Sequence, residues 1–147
     1  MKKWLLFTAV GVLIIILMAI GLRKPALKDE IALPDFLHTD FNEITKIEVR
    51  YNDGNLLTIE DSPTISKIVS VLKDTRLQIS SAPAPVGFLY FMDIVSGSQT
   101  VRYGTYLVTD HTAYHAIAPQ SDDLDALIIS IGHEHIPGLL PGIETTN

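Results

Sequence analysis

An α+β fold with a mostly antiparallel sheet is predicted by three features of this 147-residue chain. Several short segments alternate apolar and polar residues with period two, two others repeat apolar residues at helical spacing, and no strand–helix–strand series of the parallel kind is present. The order expected after an N-terminal apolar helix is ββαββββα. It describes about six strands in one sheet, with two amphipathic helices covering one of its faces.

The apolar helix is Trp4 to Leu22, a run without charge that is preceded by Lys2 and Lys3 and followed by Arg23 and Lys24. At about 1.5 Å per residue it spans roughly 28 Å, close to the ~30 Å hydrocarbon core of a bilayer. Residues 1–24 therefore read as a transmembrane signal-anchor, with Trp4 at the interface and the remainder of the chain extracytoplasmic, a single-pass protein of the cell membrane. Ala19-Ile20-Gly21 also has the small-residue pattern of a signal-peptide cleavage site, so cleavage after Gly21 with secretion is an alternative. Inverted topology is a third, because Arg23 and Lys24 nearly balance the N-terminal charge. Residues 25–40 read as a stalk interrupted by Pro25 and Pro34, with Phe36 and Leu37, and Phe41 just beyond, fastening its end to the domain. The domain is expected over residues 41–140 and a tail over 141–147.

Ile47, Val49 and Tyr51 alternate with Lys46, Glu48 and Arg50, which predicts a strand with one wet face. Asn52-Asp53-Gly54 then supplies a tight turn, and Leu57 and Ile59 a second strand, together a hairpin. Asp61-Ser62-Pro63 starts a helix, the aspartate capping and the proline costing no donor. Ile65, Ile68, Val69 and Leu72 form its apolar face. Arg76 to Ser80 is a short strand, followed by the connection Ser81-Ala82-Pro83-Ala84-Pro85. Gly87 to Val95 is apolar on both faces and reads as a central strand buried on two sides, with Asp93 breaking the second face. Thr100 to Thr109 and Thr112 to Ile117 complete a three-stranded meander through the turns Ser96-Gly97-Ser98 and Asp110-His111. Ser121-Asp122-Asp123 caps a second helix with apolar face Leu124, Leu127, Ile128 and Ile131, and Gly132 is placed to end it.

Charge and composition exclude several functions. Beyond residue 25 there are 7 basic and 17 acidic residues, a balance of −10. Such a surface disfavours nucleic acid and is repelled by anionic headgroups. Absence of cysteine removes disulfides, thiolate metal sites, a cysteine nucleophile and a lipoprotein-type lipid anchor.

No catalytic residue, cofactor or metal site is predicted. His133-Glu134-His135 lacks the second histidine of a zinc-protease helix, because position 137 is proline. These three read as a polar loop after the helix. His111 and His115 flank a strand start and would stand about 13 Å apart on it. Asp122 and Asp123 suit a helix dipole better than an acid–base pair. The functional signal lies in the aromatic residues of the meander. If the helices cover the face of Phe88, Tyr90 and Met92, then Leu89, Phe91, Tyr106 and Tyr114 form an interaction patch on the other. A competing expectation is that the stalk, or Leu139 and Leu140, covers it.

The stretch ITKIEVRYNDGNLLTIED followed by SPTISKIVSVLKD, Ile44 to Asp74, resembles small membrane-anchored or lipoprotein-like extracytoplasmic domains of Gram-positive bacteria, a loose group without established activity. The resemblance implies export and an α+β fold and carries over no catalytic residues. The expected function is thus a membrane-anchored, non-enzymatic domain that binds a protein partner or ligand in the cell envelope. A cell-envelope hydrolase or its accessory subunit, and an inhibitor or immunity-type domain acting through an open sheet face, are the alternatives. Oligomeric state and specific partner are left open by the sequence.

Overall fold

The computed structural model describes residues 30–81 and 87–143. Their elements are β1 (Glu30–Ala32), α1 (Leu33–Leu37), β2 (Ile44–Tyr51), β3 (Leu56–Ile59), α2 (Ser62–Asp74), β4 (Arg76–Ile79), β5 (Tyr90–Ser96), β6 (Gln99–Gly104), β7 (Tyr106–Thr109), β8 (Thr112–Ala116) and α3 (Gln120–His135). The class is α+β with antiparallel pairing throughout. The single sheet of about six strands is corrected. Two sheets of four strands form, ordered β1-β4-β8-β7 and β3-β2-β5-β6.

Period two explains the second sheet. Ile47, Val49 and Tyr51 of β2, Leu57 and Ile59 of β3, and Tyr90, Met92 and Ile94 of β5 all turn to one face and are buried. Directly paired residues share a face, and the registers Ile47↔Ile59, Val49↔Leu57 and Val49↔Met92 put these side chains together. The helices cover that face. Ile65, Ile68 and Leu72 are the buried stripe of α2, which packs on α3 and β2. Asp61 Oδ2 accepts from the Thr64 N–H at 3.0 Å, the cap expected from the sequence.

Three readings are corrected over these elements. First, residues 30–40, taken as the outer stalk, belong to the packed structure: β1 pairs with β4, and Leu33 is fully buried. Leu33 and Phe41 supply apolar area that the adjoining core removes from water, which outweighs the break introduced by Pro34. Second, Thr100 to Thr109 is not one strand. At Thr105 the chain leaves one sheet and enters the other, so β6 pairs with β5 while β7 pairs with β8. Third, α3 neither begins at a serine cap nor ends at Gly132. Pro119 occupies the N-cap position without a side-chain bond, and the helix continues to His135.

Gly132 serves a different purpose. A Cβ built there would lie 2.5 Å from the Tyr51 hydroxyl oxygen and would overlap the Leu139 side chain. Its missing side chain lets Tyr51 reach across α3 and donate to the Ile128 carbonyl at 2.9 Å. Leu139 and Leu140 are buried in the same corner, and the Leu140 N–H donates to Asp53 Oδ2 at 3.1 Å, tying the end of the domain to the β2–β3 turn.

Among the described residues no helix is long and apolar enough to cross a membrane. Trp4 to Leu22, most of the proline-rich connection and the end of the tail lie outside the described residues.

Candidate binding surface

β5 presents two chemically different faces. Tyr90, Met92 and Ile94 are sealed beneath the helices, whereas Phe91, Asp93 and Val95 on the opposite face are only half-buried. The expectation of a strand buried on both sides is therefore corrected, since no element among the described residues covers the second face. Asp93 is held there by Arg102 across the β5–β6 pair through two hydrogen bonds, Nε to Oδ1 at 2.7 Å and Nη2 to Oδ2 at 2.8 Å. That bidentate pair keeps the Asp93 carboxyl below the usual carboxylate range. It also lays the guanidinium over the Phe91 ring, 4.4 Å from the centroid.

Beside this face the chain turns from β6 into β7 and forms a groove of about 330 Å³ whose walls include Phe88, Phe91, Arg102, Tyr103, Tyr106 and Val108. The rings of Phe88 and Phe91 meet at 5.1 Å between centroids. Phe88 is 45% exposed, Tyr106 38% and Val108 64%. Large apolar side chains in one contiguous patch at such exposure are characteristic of an interaction surface.

β7 is also an edge strand, being last in its sheet. Asp110 and His111 both have positive φ, 47° and 64°, as the two central residues of a type I′ hairpin turn require. The turn makes Thr109↔Thr112 a hydrogen-bonded pair, so Tyr106 and Val108 aim their backbone groups away from β8. Ala113, opposite Val108, confirms the parity: its carbonyl accepts from Ser80 on the β4 side at 2.8 Å. The outward N–H and C=O groups of Tyr106 and Val108 have no backbone partner among the described residues.

Of the four residues predicted for the patch, Phe91 and Tyr106 line the groove, and Leu89 lines an adjoining depression together with Phe88 and Tyr106. Tyr114 is corrected. It lies on the inner face of the first sheet, where its ring packs on Phe36 at 4.9 Å; the segment read as stalk covers it. Phe88 and Val108 were missed. Strand parity puts Phe88 with Tyr90, but β5 starts only at Tyr90, so parity does not extend to it. The clue to Val108 was available in the short Thr109-Asp110-His111-Thr112 hairpin, which marks β7 as a candidate edge.

The histidines form no joint site. His133 and His135 belong to the last turn of α3 and not to a loop; ring nitrogens Nε2 and Nδ1 lie 3.1 Å and 2.8 Å from the carbonyls of Leu139 and Ile131. His115 sits beside the Tyr106 ring, with a buried Nδ1 that lacks a partner among the described residues. No group of three or more candidate metal ligands occurs among the described residues.

Under the adjoining depression lies Asp125 of α3. Its Oδ1 accepts from the Tyr90 hydroxyl at 2.6 Å. Burial pushes the Asp125 carboxyl above its usual range, against the Tyr90 hydrogen bond, with the nearby Asp122 charge adding to the rise. Burial likewise raises the Tyr90 and Tyr103 phenols, and Asp125 reinforces both shifts.

No protein-family model matches the chain, and neither a curated protein nor a solved structure is significantly similar to it.

Proposed function

We propose that this protein is a membrane-anchored, extracytoplasmic binding domain of the cell envelope that captures an extended segment of a partner protein along β7. One observation carries the reading: exposed rings and a strand edge unpaired among the described residues coincide at the β6–β7 corner. Main-chain groups of Tyr106 and Val108 are placed to pair with an added strand, and the groove of Phe88, Phe91 and Tyr106 is placed to hold its side chains. The charge balance of −10 beyond residue 25 agrees with a domain that stands off an anionic membrane while Trp4 to Leu22 holds it there. The resemblance of Ile44 to Asp74 to exported Gram-positive domains supports the same location. No catalytic step is assigned to any residue.

The test uses the purified full-length chain as bait against envelope proteins, beside the Phe91→Ser variant. Wild type is expected to retain a specific partner and the variant to lose it, with unfolding free energy changed by less than about 1 kcal/mol because Phe91 lies outside the sealed face. Turnover of envelope substrates by the pure chain, or partner capture unaffected by Phe91→Ser, would contradict the reading. Digestion of residues beyond 25 by external protease on intact cells tests the location.

A further inference from the structure

The depression beside the groove has a composition that the groove lacks. Phe88, Leu89 and Tyr106 form its apolar wall, Asn52 and Thr105 its rim, and Asp125 supplies a carboxylate. Asp125 is partly buried, and its Oδ2 has neither a hydrogen bond nor an ion pair among the described residues; the two ion pairs found there are Lys46–Glu48 and Arg102–Asp93. The Oδ2 atom is not sealed from solvent, so a cation can reach it. Tyr90 satisfies one oxygen, and the other is left for a ligand.

We propose that this depression is a cation site that receives a lysine or arginine side chain of the captured segment, seated between the Phe88 and Tyr106 rings and paired with Asp125. Aromatic faces attract a cation through their negative quadrupole, and a carboxylate adds a charge-assisted hydrogen bond. The chain already makes this combination once for itself, where Arg102 lies over Phe91 and pairs with Asp93. Charge complementarity selects the same class of partner: the region beyond residue 25 carries −10, and two of its carboxylates, Asp122 and Asp123, stand in the first turn of α3. Phe88 and Tyr106 line both the depression and the groove. The two sites are therefore neighbours along one bound strand, whose same-face side chains repeat about every 6.6 Å. A partner segment with a basic residue two positions from an apolar one fits both. This inference rests on the strand-capture reading and adds its specificity.

Fluorescence anisotropy provides the test, with the full-length chain titrated into labelled, end-blocked six-residue peptides that are identical except at one position two residues before a phenylalanine. With lysine or arginine there, binding is expected to be about tenfold tighter than with glutamine and tighter still than with glutamate. Asp125→Asn, which keeps an acceptor for Tyr90, should erase the preference for the basic peptides while leaving the glutamine peptide unchanged. Equal binding of the lysine and glutamine peptides overturns the cation site and leaves strand capture standing. Binding of none of them overturns both. Competition by tetramethylammonium chloride at millimolar concentration as effective as by the lysine peptide would assign the site to a small quaternary amine, contradicting the peptide proposal.

Discussion

Tyr90 and Phe91 are adjacent in the chain, yet Tyr90 is fully buried under α3 while Phe91 stands in a groove with Phe88 and Tyr106. On the sealed side, Tyr51 and Tyr90 lie 6.4 Å apart, and each spends its hydroxyl on α3, on the Ile128 carbonyl and on Asp125. Burial pushes the Tyr51 phenol up to about 12, so it remains a donor at neutral pH. On the open side the rings touch one another and Arg102. The difference shows what a helix layer does to a two-sided strand. Covered rings are committed to stability, and uncovered ones remain available for a partner.

Breaking the sealed side should have the largest effect. Gly132→Ala drives a methyl group into Tyr51 and Leu139 and is expected to cost about 3 kcal/mol in a urea titration; no loss would mean that the Tyr51–α3 contact is looser than described. Tyr51→Phe keeps the ring and removes the donor to Ile128, a smaller loss of about 1 kcal/mol. Phe88→Ser, on the open side, should change stability by no more than about 0.5 kcal/mol while weakening capture, and a larger loss would make Phe88 part of the core.

The junction between the two sides is Asp125, and its pH dependence sharpens the contrast. Its folded-state pKa is raised, so its contribution is fully present below the unfolded aspartate value of about 3.9 and is lost as pH rises through the folded value. The wild type should therefore gain stability relative to Asp125→Asn as pH falls from 7. Tyr90 and Tyr103 are the phenols that face it, both raised by burial, and they stay protonated through that range. A difference between the two proteins that does not vary with pH would refute the assigned burial of Asp125.

Strand alternation and the Asp61 cap were legible because each is written locally. Ile44–Tyr51, the Asp53-Gly54 turn and the Asp61 cap follow from residues within a few positions of one another. The division into two sheets was not. Val101, Tyr103, Thr105 and Leu107 keep one uninterrupted period through the corner at Thr105, so only the long-range pairing of β8 with β4, which draws the β7–β8 hairpin into the other sheet, reveals the switch. Leu33 was hidden for a related reason: a three-residue strand beside a proline carries too little pattern, and its place is set by β4, more than forty positions away. At the candidate surface, Phe91 and Tyr106 could be read from aromatic content and parity. Tyr114 could not, because its cover, Phe36, lies in the segment taken for stalk. Asp125 was invisible as well, since its meaning depends on Tyr90 across the core.

Strand capture at β7 is tested most directly by amide hydrogen exchange of the full-length chain with and without the lysine–phenylalanine peptide. The account predicts that the outward amides of Tyr106 and Val108 exchange freely alone and become protected in the complex, while those of Leu107 and Thr109, already paired with β8, change little. Peptide binding that leaves Tyr106 and Val108 unprotected would contradict it.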